Sequence, residues 1–225
     1  MSSISPLDGR YKKDVQELNE YFSEQALMRF RLHVEIKYLI FLSQTASLKN
    51  RISINAKDKK ALEGLYKNFD QREYNAIKRI EAKTKHDVNA VVEYLSQKIE
   101  SISENLVPWV HFGLTSEDIN NTAYSLMIKG AVEGPVFSSL SAVSSGLKKI
   151  ATKTKGLSML SLTHGQPATT TTLGKEMAVF HSRIEKQIQQ IKKVRLLAKF
   201  SGATGTFAAH KIAFPKENWV SFSKK

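Results

Sequence analysis

Two long stretches in the second half of the chain carry apolar residues at three- to four-residue spacing. In the first, Ile119, Ala123, Leu126, Leu140, Val143, Leu147 and Ile150 predict a helix from near Glu117 to Lys153. Gly134-Pro135 interrupts it, because a residue before proline resists the α conformation. In the second, Leu173, Met177, Phe180, Ile184, Ile188, Ile191, Val194 and Leu197 predict a helix from Thr172 to Phe200. At 1.5 Å per residue that helix would be about 43 Å long, and such a helix needs a partner along its length, as in an oligomeric bundle. The first half reads as helical for a different reason. Between Arg10 and Phe112 only Gly64 and Pro108 break the chain. No alternating β-branched run bounded by turns reaches strand length, so the fold class read from the pattern is all-α.

Several helix starts are marked by a short oxygen side chain with an acid three residues on. Asp70 precedes Glu73, Thr84 precedes Asp87, and Thr115 precedes Asp118. Each pair can accept from free N–H groups and place negative charge at the positive helix end. Asn55 reads as the cap of a shorter helix through Phe69. The composition shifts near Pro108 to Leu114. The expected organisation is an N-terminal helical domain, residues 1–111, and part of a central helical bundle, residues 112–225. Residues 156–171 form a non-helical stretch. The residues from Ser201 on, with Gly202, Gly205 and Pro215, read as a loop cut short.

Composition narrows the class. Of 225 residues, 41% are apolar, which argues against a wholly disordered chain. The longest apolar run, Tyr38 to Leu42, is far short of the roughly 18 residues of a membrane span. No secretory signal is visible at the N-terminus. There is no cysteine, so disulfides, thiolate zinc sites and cysteine nucleophiles are excluded. A cytoplasmic protein is the simplest fit. The net charge is +13: residues 1–112 carry 18 basic and 15 acidic residues, and residues 113–225 carry 16 and 6. That excess fits a nucleic-acid surface, attraction of a small polyanionic substrate, or a solvated basic face.

Three polar clusters stand at loop-to-helix junctions: Lys85-His86-Asp87, Thr115-Ser116-Glu117-Asp118 and Thr163-His164-Gly165-Gln166. Helix starts suit bound anions, and histidine is the side chain best matched to proton transfer near neutrality. Two histidines beside hydroxyl-rich helix starts can bind an anionic substrate and move a proton. The plainer reading makes Asp87, Thr115 and Asp118 caps and nothing more. His33, His111, His181 and His210 read as hydrogen-bonded structural residues. No histidine spacing fits a metal site. Ser201 to Thr206 lacks the lysine and spacing of a phosphate loop and reads as a turn. Ser138-Ser139 and Ser144-Ser145 read as helix-face residues.

At these clusters the sequence resembles the adenylosuccinate lyases of the fumarase/aspartase superfamily. The resemblance rests on Ser5-Pro-Leu-Asp-Gly-Arg-Tyr11, Lys85-His86-Asp87-Val88, Phe112-Gly-Leu-Thr-Ser-Glu-Asp-Ile-Asn-Asn121 and Leu162-Thr-His-Gly-Gln-Pro-Ala-Thr169, in that order over nearly the whole chain. It implies that Arg10 and Tyr11 hold the nucleotide part of the substrate. Lys85, His86 and Asp87 would line the pocket, with His86 orienting the substrate and the acid. Thr115 and Ser116 would bind the succinyl carboxylate, Thr163 would assist binding, and His164 would be the general acid/base. Position 85 is often Asn or another polar residue in the family, so Lys85 is a departure.

The reaction implied is a β-elimination that releases fumarate from two anionic nucleotide substrates. It needs no metal or organic cofactor, and no nucleic-acid or membrane partner. The family fold implies a homotetramer whose active sites draw on three subunits. The family's base, a serine on a Ser-Ser-x-Met-Pro-x-Lys loop, has no match in these residues. The expectation is therefore a truncated lyase, inactive alone, with the apolar stripes of residues 117–200 exposed. The readings set against it are an argininosuccinate-type lyase, a basic helical nucleic-acid-binding protein, and a silent chain that only joins an oligomer.

Overall fold

The computed structural model describes residues 4–224. It falls into two compact units: one runs to Lys129 and resumes at Leu197, and the other is Gly130–Leu196. The first thus takes in residues beyond 111 and the final segment, because the final segment packs back onto the early helices.

The first unit is built around α2 (Glu24–Ser43), which follows the short α1 (Asn19–Phe22). The Ser23 hydroxyl caps α2 by accepting from the N–H of Ala26 at 3.1 Å. Met28, Leu32, Ile36, Leu39 and Leu42 are almost wholly buried along its length. Around them pack Leu62 and Tyr66 of α3 (Ala56–Lys67), Ile77 of α4 (Gln71–Thr84), and Val91, Tyr94, Leu95 and Ile99 of α5 (Asp87–Ser103). Two caps stand where the sequence puts them. Asn55 Oδ1 accepts from the N–H of Asp58 at 2.9 Å, and Asp70 Oδ1 accepts from Arg72 at 2.8 Å and Glu73 at 3.1 Å. Thr84 is not a cap: it is the last residue of α4, Lys85 ends that helix with φ of 55°, and His86 caps α5.

α6 (Ser116–Ala131) leads into a π-helical turn at Val132–Val136, where Gly134 has φ −94° and ψ −107°. The interruption expected at Gly134-Pro135 is there, and α7 (Phe137–Lys153) follows. Then come β1 (Ser158–Thr163), β2 (Gln166–Thr172) and α8 (Leu173–Lys193).

Two expectations fail here. Residues 158–172 are an antiparallel hairpin. The pattern showed no strand, yet β2 forms and tolerates Pro167, because a two-stranded ribbon leaves one side of each strand unpaired. α8 stops at Lys193 instead of Phe200. The apolar spacing continues past Lys193, but the segment after it bonds to α6 in the first unit. Asn121 accepts from the N–H of Lys199 at 2.6 Å and donates to its carbonyl at 2.9 Å, and Ser125 Oγ donates to Leu197 O at 2.8 Å.

α7 and α8 pack against each other. Gly174 makes this possible: a Cβ there would lie 2.5 Å from the Ala151 carbonyl oxygen and from Lys155 Cα. Ser144, buried on α7, meets His181 Nδ1 at 2.9 Å and donates to Glu185 of α8. Val143, Ile150 and Phe180 remain about half exposed.

The residues from Ser201 on are not a loose loop. Gly202 to Gly205 turn as expected. They lead to α9 (Ala208–Ala213) and α10 (Trp219–Phe222), and Trp219 and Phe207 join the main core. His210 is 2% exposed, and its Nε2 meets the Tyr38 hydroxyl at 2.9 Å, while that hydroxyl donates to Phe112 O at 2.6 Å. Gly113, at φ 68°, gives the ring room, since a Cβ there would come within 2.7 Å of it.

His111 takes the same structural role with Glu35, Nδ1 to Oε1 at 2.5 Å. Burial is the largest influence and would depress the His111 pKa, but the Glu35 hydrogen bond and the charges of Glu35 and Asp118 together raise it. A raised histidine contributes stability that is complete below the unfolded value of about 6.5 and is lost as pH climbs through the folded value. His33 and His210 are depressed by burial, so they act in the opposite sense, below that value. The expected result is that His111→Gln flattens the loss of stability above about pH 6.5. Urea unfolding at a series of pH values measures it, and equal slopes in the two proteins would refute the assignment.

Candidate active site

Two of the polar clusters come together in the first unit. Val88, the second residue of α5, and Ile119, early in α6, share an apolar cluster with Val34 of α2. This sets the starts of α5 and α6 over the same patch. Arg31 of α2 joins them. It is 3% exposed, its Nη2 donates to Asp87 Oδ2 at 2.5 Å, and its Nε donates to Asn120 Oδ1 at 2.9 Å. A guanidinium is buried at such a cost that it needs partners, and here each partner lies in a different motif. The sequence reading missed Arg31. The available signal was a charged residue, with Glu35 four positions on, inside the apolar run of α2.

Asp87 is under opposing influences. Burial is the largest and would raise its pKa. The Arg31 charge, the Val88 N–H, the Arg31 hydrogen bond and His86 together hold it below the usual carboxylate range. His86 is half exposed, and its Nδ1 accepts from the N–H of Asn89 at 3.2 Å. In the neutral ring, the proton then sits on Nε2.

Lys85 is held in the left-handed region, where glycine and asparagine are at ease and a lysine Cβ is crowded. Lys85→Gly is expected to stabilise the fold by about 0.5–1 kcal/mol. A chemical-denaturation midpoint below that of the wild type would contradict this.

At the second cluster, Asp118 is completely buried and is more than a cap. It accepts from the N–H groups of Thr115 at 3.0 Å, Ser201 at 2.9 Å and Gly202 at 3.0 Å, and pairs with Lys199 Nζ at 2.8 Å. Asn120 and Asn121 are likewise occupied, with Arg31 and with the backbone of Lys199. Among the described residues, the Thr115 and Ser116 hydroxyls make no hydrogen bond. The motif thus divides: its acid and amides build the scaffold, and its two hydroxyls stand unused at a helix start, where an anion is favoured.

Thr163 and His164 lie in the other unit. Thr163 ends β1 and pairs with Gln166, so His164-Gly165 is a two-residue hairpin turn. Both turn residues have positive φ, 52° and 75°, as a type I′ turn requires. A histidine in that conformation is unusual, and its ring is exposed at the tip. Arg10 and Tyr11 lie in the turns before α1, both exposed, with the guanidinium 5.5 Å from the Tyr11 ring centroid. A separate cavity of about 520 Å³ in the first unit, lined by His33, Lys37, Tyr38, Phe41 and Phe200, contains none of the motif residues. Among the described residues no cluster of His, Asp and Glu has the makings of a metal site. None of their helices is long and apolar enough to cross a membrane.

Comparison with known proteins agrees with the motifs. A family model described as Lyase matches residues 9–222. Adenylosuccinate lyase of Dictyostelium discoideum is 44% identical over all of this chain and half of that protein. The adenylosuccinate lyase of Escherichia coli strain K12 is 37% identical with the same coverage. The chain spans about half the length of the curated relatives it matches. Among solved structures, the β-carboxy-cis,cis-muconate cycloisomerase of Acinetobacter calcoaceticus aligns with a TM-score of 0.73 at 20% identity, over 92% of this chain and 46% of that one. A fumarate lyase of Mesorhizobium aligns at 0.71 and 23%, over 86% and 44%. These likenesses show the fold.

Proposed function

Because the chain belongs to the lyase family whose model it matches and has the mostly helical fold of the fumarase/aspartase superfamily, we propose that the complete protein is an adenylosuccinate lyase. It releases fumarate by β-elimination from adenylosuccinate, giving AMP, and from the succinylated aminoimidazole carboxamide ribonucleotide. The observation that carries this is the pairing of the α5 and α6 starts through Arg31, which, among the described residues, leaves the Thr115 and Ser116 hydroxyls and the His86 Nε2 without a hydrogen-bond partner.

In the reaction, Thr115 and Ser116 bind a succinyl carboxylate, and the α6 start stabilises charge as the adjacent carbon gives its proton to the serine base of the family's Ser-Ser-x-Met-Pro loop, which is not among these residues. His86 donates from Nε2 to orient the substrate, with Lys85 and Asp87 lining the pocket. His164 protonates the departing nitrogen, and Thr163 assists binding. Arg10 and Tyr11 hold the nucleotide. The chemistry is proton transfer and electrostatics, without a cofactor. The proposal includes a cytoplasmic homotetramer, organised as a helical domain over residues 1–111 and a bundle domain beginning at 112.

Fumarate release measured with the complete protein on adenylosuccinate and on argininosuccinate tests the reading. Cleavage of the first alone is expected. Cleavage of argininosuccinate alone, or of neither, would overturn it. Residues 1–225 assayed alone are expected to release no fumarate, since they hold no Ser-Ser-x-Met-Pro loop.

A further inference from the structure

We infer that Arg31 is a positioning residue that fixes which nitrogen His86 presents, by holding the Asp87 carboxylate away from the ring. This rests on the reading of His86 as a substrate-orienting residue. Asp87 follows His86 in the chain, and its Oδ1 stands 3.6 Å from His86 Nδ1, just beyond hydrogen-bond reach. The other carboxylate oxygen is held by Arg31 at 2.5 Å. Arg31 cannot follow Asp87 toward the ring, because it is buried and its Nε is anchored on Asn120 of α6. Nδ1 is thereby left to accept from the N–H of Asn89.

One ring nitrogen cannot both accept from the Asn89 N–H and donate to the Asp87 carboxylate. With the carboxylate restrained, Nδ1 stays unprotonated and Nε2 carries the hydrogen. With the carboxylate free, a small rotation brings it onto Nδ1. The ring then places its proton there, gives up the cap, and turns Nε2 into an acceptor. An anionic substrate needs a donor at that position, so the tautomer decides whether His86 attracts or repels it. The anchor on Asn120 means that the same guanidinium also ties the His86 ring to the helix that begins with Thr115 and Ser116.

The experiment is nitrogen NMR of the histidine rings in the 225-residue chain, at a pH where His86 is neutral, with His86→Gln to assign its signals. Tautomer is read from the two ring-nitrogen shifts, independently of any activity. Wild type is expected to show Nε2 protonated and Nδ1 bare. In Arg31→Met the two nitrogen signals should move toward each other or exchange places. In Arg31→Met combined with Asp87→Ala, which removes the competing carboxylate, they should return to the wild-type pattern. The rings of His33, His111, His181 and His210 report whether the fold survives.

If they are disturbed in Arg31→Met, Asn120→Ala decides, with a smaller shift in the same direction expected. A wild-type ring protonated on Nδ1 overturns the inference. So does an unchanged His86 in a folded Arg31→Met or Asn120→Ala chain, or a double variant that fails to revert. Failure of fumarate release by the complete protein, with these tautomers as expected, would instead count against the proposed reaction.

Discussion

Asp118→Asn is expected to destabilise the first unit by about 3 kcal/mol, the scale of a buried ion pair broken from one side. The carboxylate has no exposure and two oxygens to satisfy. It accepts from Thr115, Ser201 and Gly202 and pairs with Lys199. An asparagine of the same shape keeps one acceptor and replaces the other oxygen with an N–H₂ that faces N–H groups. Donors then face donors away from water, and each unsatisfied group costs about 1–3 kcal/mol. The loss falls where the segment from Leu197 onward is tied to α6, so Phe207, His210 and Trp219 should loosen from the core with it. A chain of this size should lose roughly 6–12 °C in melting temperature. The Ser201 and Gly202 amides should exchange hydrogen faster than those in the middle of α2. A variant that melts with the wild type and keeps those two amides protected would show that Asp118 does not hold the segment.

His164→Asn should separate stability from activity. The ring occupies the first position of a type I′ turn, at φ 52°, followed by Gly165 at φ 75°. Asn-Gly is the preferred pair for that turn, and asparagine tolerates the left-handed region better than histidine. The variant should therefore hold the hairpin at least as well, by a few tenths of a kcal/mol up to about 1. Asparagine cannot exchange a proton near neutrality. If His164 protonates the leaving nitrogen, turnover by the complete protein should fall about 10²–10⁴-fold, with substrate affinity little changed. Slower amide exchange across residues 158–172, measured beside turnover, checks both halves. Retained turnover would remove His164 from its assigned role, and faster exchange would refute the turn argument. An unfavourable residue kept in a turn that would accept a better one is what a functional constraint looks like in a backbone.

The caps at Asn55 and Asp70, the interruption at Gly134-Pro135 and the mostly helical class follow from local rules, and outside the hairpin the chain obeys them. Short side chains satisfy free N–H groups within a turn of themselves, and proline limits its predecessor wherever it stands. The three polar clusters were legible for the same reason, since each sits at a break in helical periodicity. What each residue in a cluster does was not legible. Asp118, Asn120 and Asn121 fit a helix start in sequence, yet in space they hold residues far along the chain or a buried arginine. Thr84 looked like a cap, but the helix before it claimed that residue and left the position to His86.

The periodicity of α8 was equally clear as far as Phe200 and equally insufficient. Spacing states that a face is apolar, not that the backbone must stay helical once a carbonyl and an N–H find a better partner in Asn121. The sequence by itself thus determined the main helices, the caps at Asn55 and Asp70 and the chemistry available at the polar clusters, because those are decided within a few residues. Only the tertiary structure decided that Arg31 joins two motifs and that the last segment belongs to the first core. Burial of charge and exchange of hydrogen bonds are settled between residues that the chain keeps far apart.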